Sequence, residues 1–104
     1  MNMREVKQNP FDLFMSGVEA DVLYMLSRSW DRHSAAGIAA ICGRSRNQVF
    51  QVLTKLVENN VVATINHGRS RSFVLNLHSP VYTQIRAIGA MKLVREVLDD
   101  YQEH

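Results

Sequence analysis

A chain of 104 residues is one domain's worth of sequence, enough for a modest hydrophobic core. Its 46% apolar content argues against disorder, and it holds no run near the ~18 apolar residues of a membrane span nor the apolar centre of a secretory signal in MNMREVKQNP. The net charge is only +2, yet Arg28 to Ser72 carries seven Lys/Arg against two acids, so the positive charge is concentrated where a polyanion could meet it.

Residues 1–9 read as a mobile polar arm. Asn9-Pro10 then leads into a short helix capped by Asn9 or Asp12, with Phe11 and Phe14 docking on the domain or on a second subunit. Ser16-Gly17-Val18-Glu19 has the spacing of a capping box and opens a helix through about Arg28, with Val18, Val22, Met25 and Leu26 on one face. Trp30 follows in a loop and reads as a packing lid rather than a stacking platform, because loop aromatics usually bury themselves. A short strand is expected near Arg32–His33.

Ser34 to Asn60 organises the rest of the chain. Ser34 caps a helix over Ala35–Cys42, and Gly43 breaks it. Ser45 starts a second helix, with Gln48 three residues on completing a capping box. Val49, Val52, Leu53, Leu56 and Val57 form one apolar stripe at helical period, leaving Arg46, Asn47, Gln51, Thr54, Lys55 and Glu58 on the other faces. Asn60 ends this helix in the left-handed conformation, which Asn tolerates better than most residues.

Beyond it the period changes to two. Val61 to Asn66 and Ser72 to Leu77 alternate around His67-Gly68-Arg69-Ser70-Arg71, which predicts a β-hairpin. Ser79-Pro80 is a helix start, and the final helix is predicted from about Val81 toward Tyr101. Ala87, Met91, Val94, Leu98 and Tyr101 follow alternating steps of four and three along it, a heptad-like seam that suits a symmetric dimer interface better than packing within one domain.

Ile38, Ala39, Gly43, Val49 and Val52 resemble the spaced signature of a helix-turn-helix, with a small residue for close approach and a glycine at the turn. The residue after that glycine, often apolar, is here Arg44, which adds a cation beside the expected DNA surface. From about Asn9 to Val94 the chain resembles an ArsR/MarR-type winged-helix regulator. QNPFDLF…VLYMLSRS…IAAICGRSRNQVFQVLTKLVENNVV…GRSRSFVLNLHSPVY is similar to the winged-helix module that precedes some prokaryotic nucleotidyltransferase domains. The nucleotidyltransferase's own glycine-serine and paired-aspartate signature is missing, as are the paired cysteines of metal-sensing ArsR members.

The predicted fold is therefore mainly α with a small β-hairpin (α+β): a winged helix-turn-helix over 10–78, with recognition helix about 45–59 and wing about 61–77, then a C-terminal dimerisation helix in 79–104. The resemblance implies a sequence-specific transcriptional regulator of double-stranded DNA, probing the major groove with the second helix. Arg46, Asn47 and Gln51 are the candidates for base edges, since Arg can bridge guanine O6 and N7 and Asn or Gln can pair with adenine. Ser45 and the free N–H groups beside it suit a phosphate, as do Arg44 and Lys55. Phe50 either packs under the turn, the safer reading, or touches a thymine methyl. Arg69 and Arg71 lie on the wing, where they reach backbone or minor groove, or simply solubilise the hairpin.

No metal or cofactor site is expected: His33, His67, His78 and His104 lack ligand spacing, and lone Cys42 fits a reducing, cytoplasmic setting. No enzymatic constellation is visible. The competing readings are a protein–protein module that docks a partner through the last helix, and an accessory domain of a nucleotidyltransferase-type protein.

Overall fold

A computed structural model describes residues 3–15 and 17–98. In chain order they form β1 (Met3–Gln8), a 3-10 turn (Pro10–Leu13), α1 (Gly17–Ser27), α2 (Ala35–Cys42), α3 (Arg46–Glu58), β2 (Val62–His67), β3 (Ser70–Leu75), α4 (Tyr82–Ala90) and β4 (Leu93–Leu98). Helices α2 and α3 are the helix-turn-helix, and β2–β3 is the wing. The architecture is an α+β winged helix. Among the described residues no helix is long and apolar enough to cross a membrane.

The central elements form where local chemistry dictates. Ser34 Oγ accepts from the Gly37 N–H at 3.0 Å, starting α2. Gly43 ends it at φ 66°, a left-handed turn that glycine enters without a Cβ penalty. Ser45 Oγ then accepts from the Gln48 N–H at 3.2 Å, while Gln48 Oε1 accepts from the Ser45 N–H at 3.4 Å, so the capping box is complete. Asn60 follows α3 with φ 60°, as its position predicts. Its carbonyl accepts from Asn76 Nδ2 at 2.8 Å, tying the helix end to the far side of the wing.

The core is where α1, α2, α3 and the base of the wing converge. Val22, Leu26, Ile38, Val49, Leu53, Phe11 and Phe73 are fully buried there. The wing pairs Val62 with Leu75 and Thr64 with Phe73, which turns Phe73 and Leu75 inward. The expected third strand is a single bridge between His33 and Phe73, whose N–H and C=O groups exchange bonds of 2.8 and 3.1 Å.

Helix α4 lies against α1 through a reciprocal arrangement of arginines. Arg86 Nη1 donates to the carbonyls of Leu26, Ser27 and Ser29 at 3.3, 2.9 and 2.8 Å, occupying the open C-terminal end of α1. Arg28 Nη1 in turn donates to the Gly89 carbonyl at 3.1 Å, at the end of α4. Gly89 allows the approach: a Cβ there would overlap the Ser27 hydroxyl and fall 2.5 Å from the Ser27 Cβ.

Several expectations need correction. The segment read as a mobile arm, 1–9, contains strand β1. The final helix does not run to Tyr101: it stops at Ala90, and Met91 turns extended with φ −66° and ψ 137°. The β-branched Val94 and Val97 follow within β4, which pairs antiparallel with β1 from Met3↔Leu98 to Gln8↔Leu93. The heptad seam is thereby broken. Ala87 lies on α4, Met91 caps it, Val94 and Leu98 belong to β4, and Tyr101 lies outside the described residues. Ser79 and Pro80 form the turn ahead of α4, where Ser79 Oγ accepts from the Val81 N–H at 3.2 Å. Of the two phenylalanines, Phe11 docks whereas Phe14 is 67% exposed. Asn9 caps the 3-10 turn, its Oδ1 accepting from the Phe11 N–H at 2.9 Å. Ser16 of the expected first capping box is outside the described residues.

Candidate nucleic-acid interface

Helix α3 is anchored on one side and bare on the other. Val49, Leu53 and Leu56 are buried, while Arg46, Asn47, Phe50, Gln51 and Thr54 are exposed. Those five recur at helical spacing and so share the face turned away from the core. The base-reading candidates Arg46, Asn47 and Gln51 are thus brought together on one surface. Ser45 spends its hydroxyl on the capping box, but the N–H groups of Arg46 and Asn47 belong to the first turn, which has no intrahelical acceptor. They give this end of the helix its partial positive charge.

Phe50 departs from the packing expectation. It is 42% exposed and sits between Asn47 and Gln51 on the outer face. Trp30 likewise is no lid: it is 75% exposed, with the Arg86 guanidinium 3.7 Å from its ring centroid. The cation stacks between that ring and Tyr82, so Trp30 screens an ion already used structurally.

Two of the expected phosphate contacts are engaged within the chain. Arg44 Nε donates to Asp21 Oδ2 at 2.9 Å, and Lys55 Nζ donates to Glu19 Oε2 at 3.0 Å. Both carboxylates come from α1, so these cations point along the flank of the helix-turn-helix and not with Arg46. The pairs are solvent-accessible and contribute at most about 1 kcal/mol each, little enough to exchange for phosphate. Asp21→Ala is accordingly expected to change stability by less than about 1 kcal/mol and, if Arg44 is a phosphate contact, to strengthen low-salt binding of any duplex DNA. Parallel thermal melts and anisotropy titrations would check both halves; unchanged DNA affinity would remove Arg44 from the phosphate contacts.

At the wing, Gly68 has φ 61° as the first of two turn residues, which suits the type II′ hairpin turn. Arg69 stands beside it, fully outside the core. Arg71 is exposed, with its guanidinium 5.3 Å from the Phe73 ring centroid. Sequence reasoning missed a third wing cation. Arg32, in the α1–α2 connection, reaches His67 at the end of β2, with Nη1 and Nε2 3.0 Å apart. Nothing local in the sequence signals that contact across the fold.

Cys42 is half-buried beside Asp21, and burial pushes its thiol up, with Asp21 adding to the shift and Arg44 opposing it. The thiolate is therefore disfavoured, which makes this sulfur a poor nucleophile. Among the described residues, no three His, Cys, Asp or Glu side chains gather where they could hold a metal ion.

No protein-family model matches the chain, and no curated protein matches it. Among solved structures it is similar to reduced HlyU from Vibrio cholerae, with a TM-score of 0.56 and 16% identity over 77% of this chain and 74% of that one. Human N-acetylserotonin methyltransferase in complex with SAM overlaps with a TM-score of 0.47 and 16% identity, over 67% of this chain and 23% of that one. At such identity the likeness to HlyU concerns the fold, which is the fold of winged-helix transcription regulators.

Proposed function

We propose that this chain is a sequence-specific, double-stranded-DNA-binding transcriptional regulator that works as a homodimer. The observation that carries the reading is the outer face of α3. A helix fixed by three buried residues and a full capping box presents Arg46, Asn47, Phe50 and Gln51 to solvent as one surface. A side chain that packs in no core and pairs with no neighbour on such a rigid helix is suited to base edges. Phe50 adds an apolar contact of the kind a thymine methyl offers. Arg69, Arg71 and Arg32 supply positive charge at the wing, where backbone or minor-groove contact would fix register.

Anisotropy titrations of the chain against a random duplex pool at several salt concentrations, with sequencing of the bound fraction, test this. Binding should weaken with salt by about 0.9 in log–log slope per neutralised phosphate. Two copies on a two-fold axis would enrich a palindrome whose half-sites lie about 34 Å apart, one turn of DNA. Arg46→Ala should cost about 1–3 kcal/mol and relax the sequence preference, whereas Arg71→Ala should weaken all sequences alike. An equal loss on every sequence for Arg46→Ala would refute base reading by that residue.

A second reading draws on a different surface. Leu13, Phe14, Leu77 and Val81 are exposed, and the last shares a cleft of about 480 Å³ with Phe14, Met15 and Ile88. That apolar face fits a protein-docking module. Absence of DNA binding even at low salt would favour it.

A further inference from the structure

The β1–β4 ribbon lacks what a two-stranded sheet needs. Its substantial packing is between its own two strands. An isolated antiparallel pair is at best marginally stable in water. Among the described residues no further strand pairs with either of its outer edges, and such edges offer unpaired backbone groups. Its register also places Glu5 opposite Glu96, and like charges directly opposite each other destabilise an antiparallel pair.

The sequence of β4 suggests the remedy. Leu93-Val94-Arg95-Glu96-Val97-Leu98 reads the same from either end, except that its two central residues carry opposite charges. Such a strand is complementary to itself when turned around. We infer that the free edge of β4 pairs antiparallel with β4 of a second copy of this chain. The product is one four-stranded sheet in the order β1, β4, then the second copy's β4 and β1.

In that register Leu93 of one copy stands opposite Leu98 of the other, Val94 opposite Val97, and Arg95 opposite Glu96. Each of the six cross-strand rows of the ribbon continues across the joint. The row that holds Glu5 and Glu96 gains Arg95 of the second copy as the next residue along, so a cation position borders the two carboxylate positions. The two-fold axis repeats this, giving two oppositely charged pairs per joint. The β1 edge is a poorer candidate. Paired with itself along its full length, Met3-Arg4-Glu5-Val6-Lys7-Gln8 sets Arg4 against Lys7, and the register that sets Glu5 against Lys7 leaves Met3 past the end of the facing strand. A second copy therefore matches β4 in length, hydrophobicity and charge at once, and the joint is isologous, as a closed dimer requires.

This deepens the two-copy reading above, and its test uses no DNA, so loss of the DNA reading leaves it standing. Sedimentation velocity of the full chain across micromolar concentrations should show a dimer. Arg95→Glu and Glu96→Arg, made separately, each put like charges opposite at both central pairs of the joint, and each should weaken dimerisation by about tenfold or more. Mixed in equal amounts, the two variants restore opposite charges at every position, and dimer should return. The double variant R95E/E96R, which only reverses the order, should dimerise like the original chain. Recovery on mixing also shows that both single variants are folded. A monomeric original chain, single variants that dimerise undiminished, or a mixture that stays monomeric would each overturn the assignment.

Discussion

Replacing Arg86 with alanine is expected to cost about 2–3 kcal/mol of stability, because a charged donor that serves three carbonyls at a helix end is lost. For a chain of this size that is a fall of roughly 10–20 °C in Tm, measurable by circular dichroism or calorimetry. The carbonyls of Leu26, Ser27 and Ser29 face the partly buried joint between α1 and α4, where water replaces the guanidinium poorly. Arg86 Nε also donates to the Tyr82 hydroxyl at 3.0 Å, within α4 itself. Lysine is not a substitute, since one ammonium cannot stack on Trp30 and reach the carbonyls with a planar fork. Arg86→Lys should therefore recover less than half of the loss. The proposed DNA binding, measured well below the melting point, should be unchanged, because the contacts of Arg86 are with α1, the loop after it and Tyr82, not with α3. A stability loss under about 0.5 kcal/mol, within the range of an ordinary surface substitution, would mean that solvent satisfies the end of α1 equally well.

Gly89→Ala carries the second large effect, and its sign is the informative part. In an open helix, alanine in place of glycine gains about 1 kcal/mol. Here the added methyl would occupy the position of the Ser27 hydroxyl, so α4 must shift away from α1. Overpacking of this kind costs about 1–3 kcal/mol. Separation of the helices would also lengthen the Arg28 bond to the Gly89 carbonyl. Urea titrations of Gly89→Ala, Ser27→Gly and the double variant should show a coupling of about 0.5–3 kcal/mol, with the pair less damaging than the sum. If Gly89→Ala instead stabilises the chain, the helices are not in contact at this glycine.

What could be read from the sequence was what neighbours in sequence decide. The capping box at Ser45, the left-handed residues Gly43 and Asn60, the apolar stripe of α3 and the glycine turn of the wing all arise within a few residues. Each appears in the structure where its pattern puts it. The C-terminal segment was misread for a physical reason. Val94 and Leu98 satisfy both a four-residue helical step and the alternate positions of a strand. The partner that decides between them, β1, lies at the opposite end of the chain. The site was legible to the same degree. The exposed row of Arg46, Asn47 and Gln51 follows from helical period alone. The pairing of Arg44 with Asp21 and of Lys55 with Glu19 spans 23 and 36 residues, and the sequence holds no local sign of it. Large aromatics usually pack, which is the sequence expectation for Phe50 and Trp30; Phe50 stays exposed because the opposite side of its helix already fills the core, and Trp30 because its loop sets the ring over the Arg86 guanidinium at the surface.

The junction at Asn60 has one more consequence. Helix α3 passes into β2 through Asn59, Asn60 and Val61, with no slack loop, and the Asn76 amide clasps the corner from the other strand. The two elements that would grip DNA thus behave as the jaws of a calliper whose opening is set before any ligand arrives. If the chain binds DNA as proposed, association would order long side chains such as Arg46 and Arg69, not backbone, and the entropic cost would fall on their rotamers. In that reading the gap between the jaws would act as a ruler: a duplex whose groove width does not suit it would have to deform to fit, at a cost that depends on the DNA sequence.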